Sequence, residues 1–163
     1  MAQNTVYIET SVVSYLTARP TTDLLAAACQ KITIDWWEEQ KSGFDLYTSE
    51  ITIQEADRGD QGARRRRLAA LSEVPILPMT DVVRALASSL LRAGALPEKA
   101  LNDALHVAHA AVHGIDYLLT WNYKHLDNAI TKPTMRDACS RLGYACPEIC
   151  TPRELMLGLG DGG

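Results

Sequence analysis

Thr5-Val6-Tyr7-Ile8-Glu9-Thr10-Ser11 is a β-branched and aromatic run that ends on an acid followed by two hydroxyl residues. Its reading as a strand feeding directly into a helix decides the fold. A second apolar run, Leu118-Leu119-Thr120-Trp121-Asn122, repeats the placement but ends on an amide. Between them, Asp103 sits in Asn102-Asp103-Ala104-Leu105-His106-Val107-Ala108, a helical segment that is otherwise almost wholly apolar. In open α/β sheets, ligands gather beyond the carboxyl ends of the strands. Buried carboxylates are costly unless they are paired or bound to a metal. Acids from distant parts of the chain meeting at such a place point to a divalent-cation site.

Outward from these runs, short β-like stretches alternate with longer helical ones, the pattern of an α/β domain. Strands are expected at about residues 5–9, 44–48, 75–78, 116–120 and 148–150. The intervening helices start at Ser11, after Thr22 or Asp23, after Ser49, at Gln61 and after Thr80-Asp81. Two more follow, one opened by Pro97 and closed by Gly114, the other preceded by Lys132-Pro133 and closed by Gly143. The expected architecture is a three-layer α/β/α sandwich around a short parallel sheet of about five strands. A single domain spans 1–157, with a disordered tail over 158–163.

Composition narrows the function. With 163 residues, 47% of them hydrophobic and 22% charged, the chain is of a size and balance to bury a real core. A formal net charge of −4 argues against a protein that coats nucleic acid by bulk positive charge, but not against a nuclease. No apolar run approaches the about 20 residues needed to span a bilayer, and no signal-peptide pattern is seen, so a cytoplasmic address is expected. The cysteines, Cys29, Cys139, Cys146 and Cys150, lack a Cys-x2-Cys pair and read as structural thiols rather than zinc ligands.

Each candidate acid has a plainer reading. Glu9 alone could be a first-turn acid favoured by the helix dipole. Glu55 follows Ile51 and Ile53 in a locally apolar stretch, whereas Glu50 serves a helix N-terminus. Asp103, expected about two turns inside a helix, is the strongest candidate, because buried ionisable groups cluster at sites. Asn122 could hold a carboxylate or a water, or simply make a turn.

Together these segments resemble the PIN-domain family, the fold of many bacterial toxin ribonucleases of toxin–antitoxin pairs. The resemblance is carried by Tyr-Ile-Glu-Thr-Ser-Val-Val-Ser-Tyr-Leu (7–16) and Ser-Glu-Ile-Thr-Ile-Gln-Glu (49–55). It continues through Asn-Asp-Ala-Leu-His-Val-Ala (102–108) and Leu-Leu-Thr-Trp-Asn-Tyr-Lys-His-Leu (118–126). Two positions depart from the family pattern: Glu9 replaces the usual Asp, and Asn122 replaces the fourth acid, as in a subgroup of the family. The resemblance implies that Glu9, Glu55 and Asp103 hold one or two Mg2+ or Mn2+ ions. Asn122 belongs to the same catalytic set. Thr120 and Asn122 would orient carboxylates or water, His106 would be an orienting group near Asp103, and Thr10 or Ser11 would position phosphate. It further implies RNA hydrolysis, an antitoxin partner and a homodimer. A catalytically weak RNA- or protein-binding module lacking the fourth acid is the alternative.

Three other features compete. His106, His109 and His113 share a helix face and suggest a zinc-type hydrolase. The run Arg64-Arg65-Arg66-Arg67 could track RNA phosphates or meet an acidic antitoxin segment, but reads foremost as a solvated helix with salt bridges. Of Trp36 and Trp37, one is expected in the core and the other at an interface.

Overall fold

The computed structural model describes residues 2–156, so the tail expected over 158–163 lies outside it. The first half contains β1 (Asn4–Ile8), α1 (Thr10–Thr17), α2 (Leu24–Glu39), β2 (Phe44–Ser49), α3 (Glu50–Ala56), α4 (Gln61–Leu71) and β3 (Ile76–Leu77). The second half contains α5 (Asp81–Arg92), α6 (Leu101–Val112), β4 (Tyr117–Leu119), α7 (Lys132–Arg141) and β5 (Glu148–Cys150). All four strand pairings are parallel, in the order β3-β2-β1-β4-β5.

Side chains on a strand alternate between faces, and here each face has its own core. Tyr7 and Leu118 enter the apolar layer under α5, α6 and α7, with Leu86, Leu90, Val107 and Met135. Val6, Ile8 and Leu119 enter the opposite layer with Val12, Val13 and Trp36 from α1 and α2. The three-layer architecture follows from this division.

The strand order fixes where a site can form. The chain builds outward from β1 through β2 to β3, then returns to β1's other side with β4 and β5. The reversal lies between β1 and β4, the place where open sheets leave a crevice. Glu9 leaves β1 there, and Thr120 leaves β4.

One expected element shifts. Pro97 does not open the long helix: Pro97–Ala100 forms a separate turn, with the Ala100 N–H on the Pro97 carbonyl, and α6 begins at Leu101. Asp103 therefore lies in the first turn of α6, not two turns inside it. That position suits a carboxylate, because it faces the positive end of the helix dipole.

Candidate active site

Glu9 occupies the N-cap position of α1 and is 5% exposed, yet its side chain makes no cap bond. Its Oε1 instead accepts hydrogen bonds from Thr120 Oγ1 at 2.6 Å and from Ser11 Oγ. The first of these crosses the crevice from β1's end to β4's end. Thr120 Oγ1 also accepts the Asn122 N–H, and Ser11 Oγ accepts the Trp121 N–H. Two strand ends are thus knitted through hydroxyls that converge on one carboxylate.

Glu55, near the end of α3, meets the same place from the other side. Its Oε1 accepts from Thr10 Oγ1 and from His106 Nε2, both at 2.7 Å, and Asn102 approaches Oε2 at 3.5 Å. Burial raises the Glu55 pKa, but the hydrogen bond and charge of His106, with help from Thr10 and Asn102, bring it below the ordinary value. His106 is fully buried, which favours its neutral form. The Tyr7 hydroxyl, the bond to Glu55 and the charge of Glu9 outweigh burial and lift the imidazole pKa to about 10. Behind His106, Nδ1 lies 2.7 Å from the Tyr7 hydroxyl, which is itself 2.6 Å from Ser49 Oγ. Ser49 stands at the N-cap of α3 without capping it, because its hydroxyl is turned to Tyr7.

Glu9, Glu55 and His106 each offer a ligand atom within 4.8 Å of the others. Asp103 is not part of that cluster. It lines an adjoining cavity of about 400 Å3 with Glu55, Asn102, Lys99 and His125, and its Oδ2 is 2.8 Å from His125 Nδ1.

The model of the PIN domain matches residues 6–129 of this chain. The chain belongs to the PIN-domain family. No curated protein sequence matches it. Among solved structures, it is similar to FitAcB from Neisseria gonorrhoeae, at 18% identity and a TM-score of 0.55, over 92% of this chain and 99% of that one. VapBC-1 from nontypeable Haemophilus influenzae gives 16% identity and a TM-score of 0.57, over 91% and 98%. FitAB bound to an IR36 DNA fragment gives 17% and 0.56, over 93% and 97%. At these identities the likeness is one of fold.

In this PIN domain the donor chemistry suits a hard divalent cation. Glu9 and Glu55 present carboxylate oxygens at the switch point, and Asp103 adds another beside Glu55. Carboxylate-oxygen sets of this kind are ones that hard ions such as Mg2+ and Mn2+ accept. His106 has both ring nitrogens engaged, on Tyr7 and Glu55, so it orients a carboxylate. The zinc alternative finds no geometry here. His109 Nδ1 bonds the Leu105 carbonyl and His113 Nε2 the Pro78 carbonyl, and among the described residues the helix histidines form no joint cluster.

Thr10 and Ser11 turn their hydroxyls to Glu55 and Glu9 rather than outward. Among the described residues the Asn122 side chain makes no hydrogen bond to a carboxylate. Its Oδ1 accepts the His125 N–H at 3.0 Å, closing the turn after β4. His125 escaped the sequence reading although it lies in the segment 118–126. A histidine in a polar loop carries no periodic signal, and only the fold brings it to Asp103.

The arginine run also resolves. Arg64 pairs with Asp57 at 2.8 Å, while Arg66 Nε donates to the Thr17 carbonyl and Arg67 Nε to the Ala56 carbonyl. Two of the four guanidiniums therefore cap the ends of α1 and α3. Trp36 is buried, with its indole N–H on the Leu155 carbonyl, and Trp37 is half-covered beneath Lys41 Nζ, 4.4 Å from its ring.

Proposed function

We propose that this chain is a Mg2+- or Mn2+-dependent ribonuclease, the toxin of a toxin–antitoxin pair. One observation carries the nuclease reading. Glu9 is almost fully buried at the switch point and among the described residues its carboxylate accepts only from hydroxyls, while Glu55 converges on it from the end of α3. Among the described residues no Lys or Arg forms an ion pair with Glu9, Glu55 or Asp103; their ion pairs are with histidines alone. Among the described residues His106 is the one cation facing Glu9 and Glu55 together, so the paired carboxylates keep an excess of negative charge that an external cation would stabilise.

A divalent ion held by Glu9, Glu55 and Asp103 would neutralise phosphodiester charge and lower the pKa of a water. The chain's own residues do the positioning. Thr120 and Ser11 hold Glu9, Thr10 and His106 hold Glu55, and the cavity beside Asp103 gives a nucleotide access. Glu9, Glu55 and Asp103 are the proposed metal ligands. Asn122 acts through the turn it closes. The RNA substrate, antitoxin partner, homodimer and cytoplasmic setting follow from the toxin ribonucleases that the sequence resembles. Among the described residues, no helix is long and apolar enough to cross a membrane.

The decisive test is Mg2+- and Mn2+-dependent cleavage of a labelled mixed RNA pool by the wild type and Asp103→Asn. Cleavage that needs the ion and disappears in the variant supports the nuclease. A folded, antitoxin-free wild type inert with both ions moves the binding-module reading ahead. That reading draws on one fact, that Asn122 uses its side chain on backbone rather than on an acid.

A further inference from the structure

We infer that His125 is the positioning residue for Asp103, and that the neutral position after β4 serves by holding His125 in place. The inference rests on the metal-nuclease reading above and assigns a role to a residue that reading does not use.

An aspartate in the first turn of a helix has a short side chain with little to fix its rotation. Asp103 is 16% exposed at its side chain and borders a cavity of about 400 Å3, so packing on one side leaves it latitude. Among the described residues its one hydrogen-bond donor is His125 Nδ1, at 2.8 Å from Oδ2. That bond fixes the carboxylate plane and leaves Oδ1 without a protein donor. A carboxylate only accepts, so the proton sits on Nδ1 whether the ring is neutral or charged.

His125 is itself held from its backbone. Asn122 Oδ1 accepts the His125 N–H at 3.0 Å, and the Asn122 carbonyl accepts the Leu126 and Asp127 N–H groups at 3.1 and 2.8 Å. Leu126, next in the chain, is fully buried in the core and anchors the turn. Asn122 is tied back in turn, since its N–H donates to Thr120 Oγ1, the hydroxyl that holds Glu9. A single chain of hydrogen bonds thus runs from Glu9 through Thr120, Asn122 and His125 to Asp103. The clustered Glu9 and the outlying Asp103 are registered to each other by a loop that contributes no acid. Donors behind a ligating carboxylate commonly govern metal affinity by about 10- to 100-fold.

The test uses the full chain freed of metal, with Mn2+ titrated in and followed by loss of the free-ion electron paramagnetic resonance signal. His125→Ala is expected to weaken Mn2+ binding by about 10- to 100-fold. His125→Asn places an amide nitrogen where Nδ1 stands and is expected to restore affinity to within a few-fold. His125→Gln reaches the Nε2 position instead and is expected to resemble alanine. Circular dichroism checks the fold of each variant; should the alanine variant not fold, the Asn and Gln pair decides. Equal affinity of wild type and His125→Ala, or of the Asn and Gln variants, overturns the positioning role while leaving the metal site standing. No Mn2+ binding by the wild type overturns the metal-nuclease reading itself, and this inference with it.

Discussion

The Tyr7 hydroxyl lies 2.7 Å from His106 Nδ1, placing the polar tip of a core strand residue directly beneath the acids. Tyr7 is fully buried and packs its ring edge-on against His106, with centroids 5.6 Å apart. Tyr7→Phe keeps the ring and removes the oxygen, leaving Ser49 and the imidazole short of a partner in a dry core. The expected loss is about 1–3 kcal/mol of stability, read by urea denaturation. A loss within experimental error would show that the hydroxyl network is not sustaining His106.

His106 also sets a pH dependence. Its native pKa, raised to about 10 from the ordinary 6.5, means that the folded state keeps a proton the unfolded state gives up. The stability it contributes is fully present below pH 6.5 and is lost as pH rises toward 10. Unfolding free energy of the metal-free chain should therefore decline across that window, and decline less in His106→Gln. A flat alkaline limb in the wild type would contradict a charged His106.

His109 behaves oppositely. It is fully buried, its Nδ1 donates to the Leu105 carbonyl, and among the described residues its Nε2 has no hydrogen-bond partner. Burial is the largest effect on it and lowers its pKa, with the neighbouring histidines acting in the same direction. Nitrogen-15 imidazole shifts should show a neutral ring protonated on Nδ1 that persists below pH 6.5. A ring that charges at 6.5 or above would refute the assignment.

Thr120→Val removes a hydroxyl without changing the side chain's shape. Glu9 then keeps only Ser11 as a donor, and the Asn122 N–H loses its acceptor. RNA cleavage should fall by about 10- to 100-fold, while Thr120→Ser retains most of it. Indistinguishable rates for the valine and serine variants would remove Thr120 from the site.

Gly114 follows α6 at φ +69°, and a Cβ built on it meets nothing within 4 Å. Gly114→Ala should cost about 1–2 kcal/mol through backbone strain alone, lowering Tm by roughly 2–8 °C. A neutral melting curve would mean that the turn relaxes to an ordinary conformation.

The fold was legible because β1 and β4 are short, apolar and bounded by turn chemistry, and because Tyr7 and Leu118 need a different face from Ile8 and Leu119. Glu9 was legible as a strand-end acid, and its approach to Glu55 follows from strand order. The start of α6 was not, since Pro97 satisfies a helix-opening rule but serves a turn of its own. Nor was the diversion of Ser49 from its cap to Tyr7, which depends on a contact 42 residues away in sequence. His125 and the tasks of Arg66 and Arg67 are likewise tertiary facts. Local pattern gives a loop histidine or a basic run no address.

Arg66 and Arg67 grip the far ends of the two helices whose other ends bear Thr10 and Glu9 on one side and lead from β2 on the other. An eight-residue helix such as α1 is a rod about 12 Å long. A tilt of roughly 5° at Thr17 swings its opposite tip by about 1 Å, and displacements of that size can cost a reaction about 100-fold. The basic tract thus ties α4 to the two helices that carry the acids. Drift in α4 would therefore be felt at the spacing of acids carried by other helices.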